Sequence, residues 1–308
     1  MTTSGRVAVI GAGTMGSGIA QVCAMRGYDV ALVDSVASKV DGALDAARSS
    51  LRRLVAKERL SDREAADALA RITPSPTIAA AVDGAEVVVE SVLERLAVKH
   101  EVFGEIGAHA PADALLGTNT SQLSITRIGA VLGEDAERLV GLHFFNPPVL
   151  MRLVEIVMGL ASTDATVARA EAFARALGKE SVVCRKDSPG FLTSRISAIV
   201  RQECFRMVEE GVGAPADIDK ALRLGLNFPM GPLELGDFNG LDTYLDALES
   251  LAVAHGDRFR PTTTLRNLVA AGRLGRKTGW GVYRYAADGS RVDDAGHAEG
   301  TSRAEGSR

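Results

Sequence analysis

Residues 7–18, Val-Ala-Val-Ile-Gly-Ala-Gly-Thr-Met-Gly-Ser-Gly, constrain the fold more than any other part of the chain. An apolar strand leads directly into a glycine turn, and a helical segment follows it. In this pattern Gly11 permits the tight turn, Gly13 lets a pyrophosphate approach the backbone, and Gly16 lets the helix pack closely on the strand. The N-terminus of the helix offers free N–H groups and a partial positive charge to the phosphates. The stretch therefore predicts a dinucleotide-binding βαβ unit.

An acidic residue follows the second predicted strand at the spacing that is typical of this unit. The helix over 17–27 is followed by a strand over 29–33, which ends at Asp34, 18 residues after Gly16. A carboxylate at this position accepts hydrogen bonds from the adenosine ribose hydroxyls and repels a 2′-phosphate, so it favours NAD over NADP. Asp34 would alternatively cap the helix that follows, but the spacing favours the ribose role.

Composition narrows the class of protein. The 308 residues are enough for two domains, and 46% hydrophobic with 24% charged residues is typical of a soluble globular chain. The net charge of −4 gives no case for nucleic-acid or membrane binding, and no apolar run is long enough to span a bilayer. We expect no signal peptide, because the N-terminus leads directly into the first strand. The isolated cysteines at 23, 184 and 204 indicate reduced thiols in the cytoplasm, without disulfides or a metal site.

Strand and helix signals alternate over residues 1–187, as a parallel α/β sheet requires. Residues 36–71 are typical of two helices broken near Ser61, which is suited to cap the second helix. We expect this hairpin to project from the sheet. Further strands are predicted at 86–89, 114–116, 139–142, 153–157 and 181–183, together with a helix at 163–177 that ends at Gly178.

The pattern changes near Asp187, where Asp-Ser-Pro-Gly forms a hinge-like break. Helices are predicted after it at 191–210, 215–224, 232–255 and 265–271. From residue 286 to 308 the chain is rich in Gly, Ser, Ala, Asp and Arg without an apolar period, and we expect disorder there. The predicted fold class is α/β, with a Rossmann-type parallel-sheet domain over 1–187 that carries the hairpin insertion, and an all-α domain over 188–285.

A histidine and a glutamate form the candidate catalytic pair. His143 follows an apolar strand at the carboxyl edge of the predicted sheet, where open α/β folds bind their ligands. Glu155 lies on the next strand, and we expect it to reach the imidazole, fix its tautomer and make it a base for an alcohol proton. Taken alone, His143 would be interpreted as a core residue and Glu155 as an edge-strand acid that faces solvent. The cofactor fingerprint upstream and the nearby carboxylate favour the catalytic interpretation of His143. The neighbours of Glu155 are apolar, so an inward Glu155 would need a partner.

A polar run at 118–124, Thr-Asn-Thr-Ser-Gln-Leu-Ser, follows the strand at 114–116. Such a run can hold the nicotinamide amide and a substrate oxygen, with Asn119 as the cofactor contact and Ser121 as the substrate contact. Clusters of Ser, Thr and Asn also favour helix caps and turns. From the residues alone the two interpretations are evenly balanced.

Together these motifs resemble the L-3-hydroxyacyl-CoA dehydrogenase family, which includes 3-hydroxybutyryl-CoA dehydrogenases. The resemblance covers nearly all of residues 6–285. It is carried by Gly-Ala-Gly-Thr-Met-Gly at 11–16, Glu-Arg-Leu-Ala-Val-Lys at 94–99, Asn-Thr-Ser at 119–121, His-Phe-Phe-Asn-Pro at 143–147, Asp-Ser-Pro-Gly-Phe at 187–191, Phe-Pro-Met-Gly-Pro at 228–232 and Gly-Arg-Lys-Thr-Gly at 275–279.

The resemblance implies a role for each matching residue. His143 would be the general base, Glu155 its electrostatic partner, and Ser121 the contact of the reacting oxygen. Asn146 would lie beside both the nicotinamide and the substrate. The other cofactor contacts that it implies are Gly11, Gly13, Thr14, Met15, Gly16, Glu94, Lys99 and Asn119. Lys277, in the turn at 275–281, is a further cofactor candidate as the domains close, although most of that turn is typical of a simple connection.

The resemblance also places an acyl-CoA between the two domains, with the hairpin at 36–71 beside its nucleotide end. Residues 48–71 hold seven basic and four acidic residues, and the candidates for the CoA phosphates are Arg52, Arg53 and Lys57. A solvated helix face explains this charge equally well. Position 194 departs from the family, in which an Asn commonly helps to hold the substrate. Ser194 is shorter, so we expect it to reach the substrate through water or from a shifted helix.

The implied activity is the reversible, NAD-dependent and metal-free oxidation of a short-chain L-3-hydroxyacyl-CoA, such as 3-hydroxybutyryl-CoA, in fatty-acid metabolism. The resemblance also implies a homodimer joined through the C-terminal domain, and the cysteine pattern predicts a cytoplasmic location. A free 3-hydroxy acid and a carrier-protein thioester are the alternative substrates, and retention of Phe144 and Phe145 favours the acyl-CoA. A non-catalytic NAD-binding protein is the third interpretation, which the intact His143, Glu155 and Ser121 disfavour.

Overall fold

The computed structural model describes residues 5–292, and residues 1–4 and 293–308 lie outside the described part. The chain divides between Phe191 and Leu192 into two compact units. The predicted domain boundary lies slightly earlier, at residue 187. No helix within residues 5–292 is long and apolar enough to cross a membrane.

The first unit is built on one eight-stranded sheet with the strand order β3-β2-β1-β4-β5-β6-β7-β8. Its strands are β1 (Arg6–Ile10), β2 (Asp29–Val33), β3 (Ile72–Pro74), β4 (Val87–Glu90), β5 (Leu115–Thr118), β6 (Leu139–Phe144), β7 (Leu153–Met158) and β8 (Glu180–Cys184). Neighbouring strands run parallel except β6 and β7, which are antiparallel. The doubly wound, mainly parallel sheet is confirmed. The β6–β7 pair is antiparallel because its connection over 145–152 is too short for a crossover.

Helices cover both faces of this sheet. They are α1 (Thr14–Met25), α2 (Ala37–Ala56), α3 (Asp62–Ala70), α4 (Ile78–Val82), α5 (Leu96–His109), α6 (Ile125–Gly129) and α7 (Asp164–Ala176), with a 3₁₀ helix over Gly133–Arg138. Val7 of β1 packs in the core that contains Ile19 of α1, whereas Ala8 packs in the core that contains Phe103 of α5. This alternation is the two-residue period of a strand buried on both faces.

The predicted hairpin of two helices, α2 and α3, is confirmed, including the break at Ser61. Its placement differs from the prediction. Ser61 caps α3 through a capping box with Glu64, as the sequence indicates. Val40, Ala43 and Ala47 of α2 belong to the core that also contains α1, and α3 contacts α1 as well. The hairpin therefore lies against α1 instead of projecting from the sheet, because the apolar stripe of α2 must be buried.

The second unit is helical, as predicted. Its helices are α8 (Thr193–Glu209), α9 (Pro215–Gly225), α10 (Pro232–Asn239), α11 (Leu241–His255) and α12 (Thr263–Ala270), with 3₁₀ turns at Asp257–Phe259 and Arg276–Thr278. The single helix predicted over 232–255 is wrong. Gly240 adopts φ +99°, a conformation that few residues other than glycine tolerate, and it separates α10 from α11.

The segment after Tyr285 is more ordered than its composition indicates. Tyr285 pairs with Arg291 in an isolated bridge, and the Arg291 guanidinium lies 3.8 Å from the centre of the Tyr283 ring. The buried Asp237 carboxylate accepts the N–H of Tyr283 and the hydroxyl of Tyr285. The predicted disorder therefore does not hold for residues 286–292, and the rest of that prediction, 293–308, lies outside the described residues.

Candidate functional site

The glycine loop after β1 is shaped by close backbone contacts. The N–H of Gly11 donates to the Val33 carbonyl at 2.7 Å, and Gly11 has φ +106°. A Cβ on Gly11 would lie 2.4 Å from the Ser91 carbonyl oxygen, and a Cβ on Gly16 would lie 1.9 Å from the Gly11 carbonyl oxygen. Gly11 and Gly16 thus let the loop and α1 approach the ends of β1 and β4.

Gly13 stands in a different environment. It is the N-cap residue of α1 and supplies no side-chain cap, and a Cβ there would meet no heavy atom within 4 Å. Thr14 is exposed and Met15 is half-buried at the start of the helix. The space beside the first-turn N–H groups is therefore open to an anionic group, as a bound pyrophosphate requires. These residues fit a dinucleotide.

Asp34, at the end of β2, holds the glycine loop from the side. Its Oδ2 accepts the N–H of Ala12 at 2.9 Å, and its Oδ1 accepts the N–H of Val36 at 3.0 Å. The Lys39 ammonium lies 3.9 Å from Oδ1. Val36, not Asp34, is the N-cap residue of α2. The carboxylate therefore shapes the turn between β2 and α2 and remains at the position where a ribose would lie in this fold.

His143 and Glu155 form a buried pair across two antiparallel strands. They are directly opposed in the register of β6 and β7, and Nδ1 of the imidazole lies 2.8 Å from Oε2 of the carboxylate. Glu155 is fully buried, so the interpretation of an acid that faces solvent is wrong. His143 lies within β6, because the strand continues to Phe144 instead of ending at residue 142. With Nδ1–H donated to Glu155, Nε2 of the neutral ring is the nitrogen that can accept a proton.

Two aromatic rings flank the imidazole. The centres of the His143 and Phe145 rings lie 4.5 Å apart, and those of His143 and Phe191 lie 5.9 Å apart. Phe191 is buried and adopts φ +48°. The contact with Phe191 could not be predicted from sequence, because the two residues are distant along the chain. Together with Glu155, the rings fix the orientation of the imidazole.

In the polar run after β5, one residue caps a helix and others lie where they could contact ligands, so both interpretations of the sequence apply to parts of the run. Ser124 caps α6 by accepting the N–H of Arg127, so the cap interpretation holds for that residue. Asn119 instead links three segments: its amide donates to Ser91 Oγ at 3.1 Å, and its Oδ1 accepts the N–H of Phe144 at 3.0 Å. The Ser121 N–H donates to Glu94 Oε1 at 3.1 Å. Glu94, Asn119 and Ser121 are thus brought together beside the strand of His143.

Lys99, which the resemblance implies as a cofactor contact, lies in a buried environment. Its side chain is fully buried, and its ammonium donates to both carboxylate oxygens of Glu90, at 2.7 and 2.9 Å. Glu90 was missed by the sequence interpretation, although a carboxylate at the end of the apolar run 87–89 must find a partner when it is buried. Burial raises the pKa of the Glu90 carboxyl, and the hydrogen bonds from Lys99, Thr118 and Val92 oppose that rise.

The remaining candidates lie in four places. Asn146 is exposed after Phe145, and Ser194 is half-buried in the first turn of α8. The basic side chains Arg52, Arg53 and Lys57 are exposed at the end of α2, and none of them forms an ion pair with another described residue. Lys277 donates to both oxygens of Asp242, at 2.6 and 2.7 Å. Within residues 5–292, no group of three or more His, Cys, Asp or Glu side chains is arranged to hold a metal ion.

The glycine loop, the acid after β2 and the histidine–carboxylate pair define a dinucleotide-binding dehydrogenase. Both parts of the chain match the same known family. The 3-hydroxyacyl-CoA dehydrogenase NAD binding domain matches residues 6–188, and the 3-hydroxyacyl-CoA dehydrogenase C-terminal domain matches residues 190–285. The chain belongs to the 3-hydroxyacyl-CoA dehydrogenase family.

Individual relatives support this assignment. The chain is 39% identical to a probable 3-hydroxybutyryl-CoA dehydrogenase of Bacillus subtilis over 91% of its own length and 97% of the relative. It is 41% identical to the 3-hydroxyadipyl-CoA dehydrogenase of Escherichia coli over 92% of its own length, but spans only 59% of that longer protein. The crystal structure of (S)-3-hydroxybutyryl-CoA dehydrogenase from Ralstonia eutropha is 41% identical and superposes with a TM-score of 0.88, covering 92% of this chain and all of that one.

Proposed function

We propose that the protein catalyses the reversible NAD-dependent oxidation of short-chain L-3-hydroxyacyl-CoA to 3-ketoacyl-CoA. The observation that carries the proposal is the His143–Glu155 pair, held at 2.8 Å in a domain with an open glycine loop. The names of the Bacillus and Ralstonia relatives favour a four-carbon acyl group. The chain's similarity to both extends over more than nine-tenths of its length.

NAD is the proposed cofactor. When bound, NAD supplies a hydride acceptor for carbon 3 of the substrate. The open space at Gly13 suits the pyrophosphate, and the Asp34 carboxylate suits the adenosine ribose. The proposed cofactor contacts are Gly11, Gly13, Thr14, Met15, Gly16, Asp34, Glu94, Asn119, Asn146 and Lys277. Lys99 contributes through Glu94 and Asn119, because its own ammonium is buried.

His143 is the proposed general base. Nε2 accepts the proton of the substrate hydroxyl, and the resulting imidazolium is stabilised by the Glu155 carboxylate through Nδ1–H. In the reverse direction the imidazolium returns the proton to the carbonyl oxygen. A positioned base of this kind typically contributes a factor of about 10² to 10⁴ to the rate. We assign the Ser121 hydroxyl to the same substrate oxygen, because its backbone is fixed by Glu94.

The substrate contacts outside this centre are proposed on chemical grounds. Arg52, Arg53 and Lys57 present exposed cationic side chains without competing ion pairs among the described residues, which suits the phosphates of CoA. Asn146 and Ser194 are assigned to the acyl portion, with Ser194 in the place of the Asn that many family members have.

A homodimer through the second unit is the proposed assembly. Several large apolar side chains of this unit are between 63% and 92% exposed, namely Ile196, Val212, Leu224, Leu226 and Val253. Exposed apolar side chains become buried where they form part of an interface between two copies of a chain.

The direct test is NADH oxidation with acetoacetyl-CoA, compared with free acetoacetate and with NADPH in place of NADH. The proposal predicts turnover with the CoA ester and NADH, and at least tenfold lower kcat/KM for free acetoacetate and for NADPH. Equal activity on free acetoacetate would mean that the substrate is a free acid and not a CoA ester. Absence of turnover with acetoacetyl-CoA, while NADH still binds, would contradict the proposed activity.

A further inference from the structure

A network of buried polar groups lies at the carboxyl ends of β4 and β5. It consists of the Glu90 carboxylate, the Lys99 ammonium and the Thr118 hydroxyl, and all three side chains are fully buried. Glu90 receives four hydrogen bonds: two from Lys99, one from Thr118 Oγ1 at 2.6 Å and one from the Val92 N–H at 2.8 Å. A carboxylate with this many donors is held in a single orientation.

The network reaches the proposed site through Lys99. Its Nζ also donates to the Asn119 carbonyl at 3.4 Å and lies 3.6 Å from Glu94 Oε2. Glu94 in turn accepts hydrogen bonds from Thr120 Oγ1 and from the Ser121 N–H. One buried carboxylate is thus connected, through one ammonium, to the loop that follows β4 and to the loop that follows β5.

The backbone strengthens the same connection. The Asn119 N–H donates to the Glu90 carbonyl at 2.7 Å, so Glu90 contacts Asn119 both directly and through Lys99. The Asn119 side chain then accepts the Phe144 N–H, next to His143. Glu90 is therefore connected by hydrogen bonds and an ion pair to three of the residues assigned to cofactor and substrate, Glu94, Asn119 and Ser121.

The energetics of burial indicate that the Glu90–Lys99 pair contributes more to the positions of its neighbours than to the stability of the fold. Removing two charges from water costs about as much as their attraction returns, and an apolar pair of similar volume is often equally stable. An apolar pair does not hold the neighbouring groups in fixed directions. The charged pair does, because Lys99 donates a hydrogen bond to the Asn119 carbonyl and forms an ion pair with the Glu94 carboxylate.

We propose that Glu90 is a positioning residue of the reaction, which acts through Lys99 to place Glu94, Asn119 and Ser121 around the cofactor and the substrate oxygen. This inference rests on the proposed function. Glu90 itself touches neither cofactor nor substrate. Its loss should therefore weaken NADH binding and lower kcat even when the fold is retained.

The test separates position from stability with two variants. Glu90→Gln removes the nearer counter-charge of the buried Lys99 ammonium and leaves only Glu94, at 3.6 Å, so the melting temperature of this variant should fall. The double variant Glu90→Gln with Lys99→Met removes both charges and should recover most of that melting temperature. We expect the double variant still to bind NADH at least tenfold more weakly than the wild type, by fluorescence titration, and to have a kcat/KM about 10- to 100-fold lower.

Arg138 provides the matched control. It is also a buried cation of the first unit, and it donates to the carbonyls of Pro111 and Ala114, at the opposite end of β5. Arg138→Met should lower the melting temperature without changing the NADH dissociation constant. If the double variant recovers both the melting temperature and wild-type NADH affinity, the positioning role is overturned.

A milder variant decides the question if the double variant does not fold. Thr118→Val removes a single hydrogen bond to Glu90 at nearly constant volume, and a weakened affinity for NADH would support the inference, whereas an unchanged one would overturn it. The wild type, assayed beside it with acetoacetyl-CoA, tests the proposed function separately. Titration with NADH alone reports on Glu90 whatever the acyl substrate is.

Discussion

The two carboxylate oxygens of Asp34 hold the backbone of two loops and are also the proposed contact of the adenosine ribose. The carboxylate accepts the N–H groups of Ala12 and Val36, and it lies 3.9 Å from the Lys39 ammonium. If it also binds the ribose, Asp34→Ala should reduce the preference for NADH over NADPH, because a repulsive charge is lost while Lys39 remains to attract a 2′-phosphate. One charge near the surface is worth about tenfold in this ratio.

The measurement is kcat/KM with each cofactor. Asp45→Ala is the control, since Asp45 is an exposed acid of α2 that pairs with Arg48. An unchanged cofactor ratio in Asp34→Ala would leave Asp34 with its structural contacts alone.

Glu155 allows a second prediction at the scale of one residue. Glu155→Gln keeps the size of the side chain and an oxygen that can accept Nδ1–H, but it removes the charge that stabilises the imidazolium. We expect kcat to fall about 10²-fold while NADH affinity is unchanged. Steady-state kinetics with acetoacetyl-CoA and an NADH titration measure the two quantities. A kcat within twofold of the wild type would exclude an electrostatic role for Glu155.

At this scale the sequence indicates which residue types are needed but not how they are paired. The spacing of His143 and Glu155 made a contact reasonable, yet only the antiparallel register of β6 and β7 places them opposite each other. The family resemblance implies that Lys99 contacts the cofactor, and nothing in the local pattern shows that Glu90, nine residues earlier, binds its ammonium. Pairings of this kind depend on tertiary structure.

At the scale of elements, the glycine loop and α1 give a matched pair of variants. Gly16→Ala would place a Cβ 1.9 Å from the Gly11 carbonyl oxygen, so α1 must shift and the melting temperature should fall. Gly13→Ala meets no protein atom within 4 Å and should leave the melting temperature nearly unchanged. We expect it instead to weaken NADH binding, because the methyl group occupies the space proposed for the pyrophosphate.

Thermal unfolding and NADH titration of both variants measure these effects. Wild-type affinity in Gly13→Ala would mean that the pyrophosphate does not approach this residue. A wild-type melting temperature in Gly16→Ala would contradict the close packing of α1 on the loop.

Most elements could be predicted because their hydrophobic periods are strong. The strand over 29–33 and the cap at Ser61 are confirmed. β3 was missed because it has only three residues, of which Ile72 alone is buried, and pairing with β2 defines it. The break between α10 and α11 was missed because a glycine inside a helical pattern is often tolerated, and only φ +99° at Gly240 shows that this one is not.

At the scale of the whole molecule, the proposed homodimer predicts a mass close to twice 32.3 kDa by light scattering. Replacing Leu224 and Leu226 by Glu should shift the protein toward monomer, because charge would be buried in an apolar contact. Leu160→Glu is the control, since Leu160 is 88% exposed in the first unit. A wild-type mass of a single chain would contradict the proposed assembly.

The two-domain organisation could be recognised from the sequence because periodicity changes from alternating strands and helices to helices alone. The exact boundary after Phe191 is harder to predict from the sequence. The Asp-Ser-Pro-Gly stretch marks the break, whereas Phe191 itself packs beside His143 and so belongs to the first unit. The prediction of disorder from composition is also wrong for residues 286–292. Contacts of Arg291 and Tyr285 order this segment, and a polar composition does not indicate such contacts.

The most direct test of the account compares the wild type with His143→Gln, using acetoacetyl-CoA and NADH. We predict that the variant binds NADH with the affinity of the wild type, because His143 is not assigned to the cofactor. Its turnover should be lower by a factor of about 10² to 10⁴, the usual contribution of a positioned acid or base. Turnover close to that of the wild type would contradict the central claim that the His143–Glu155 pair transfers the substrate proton.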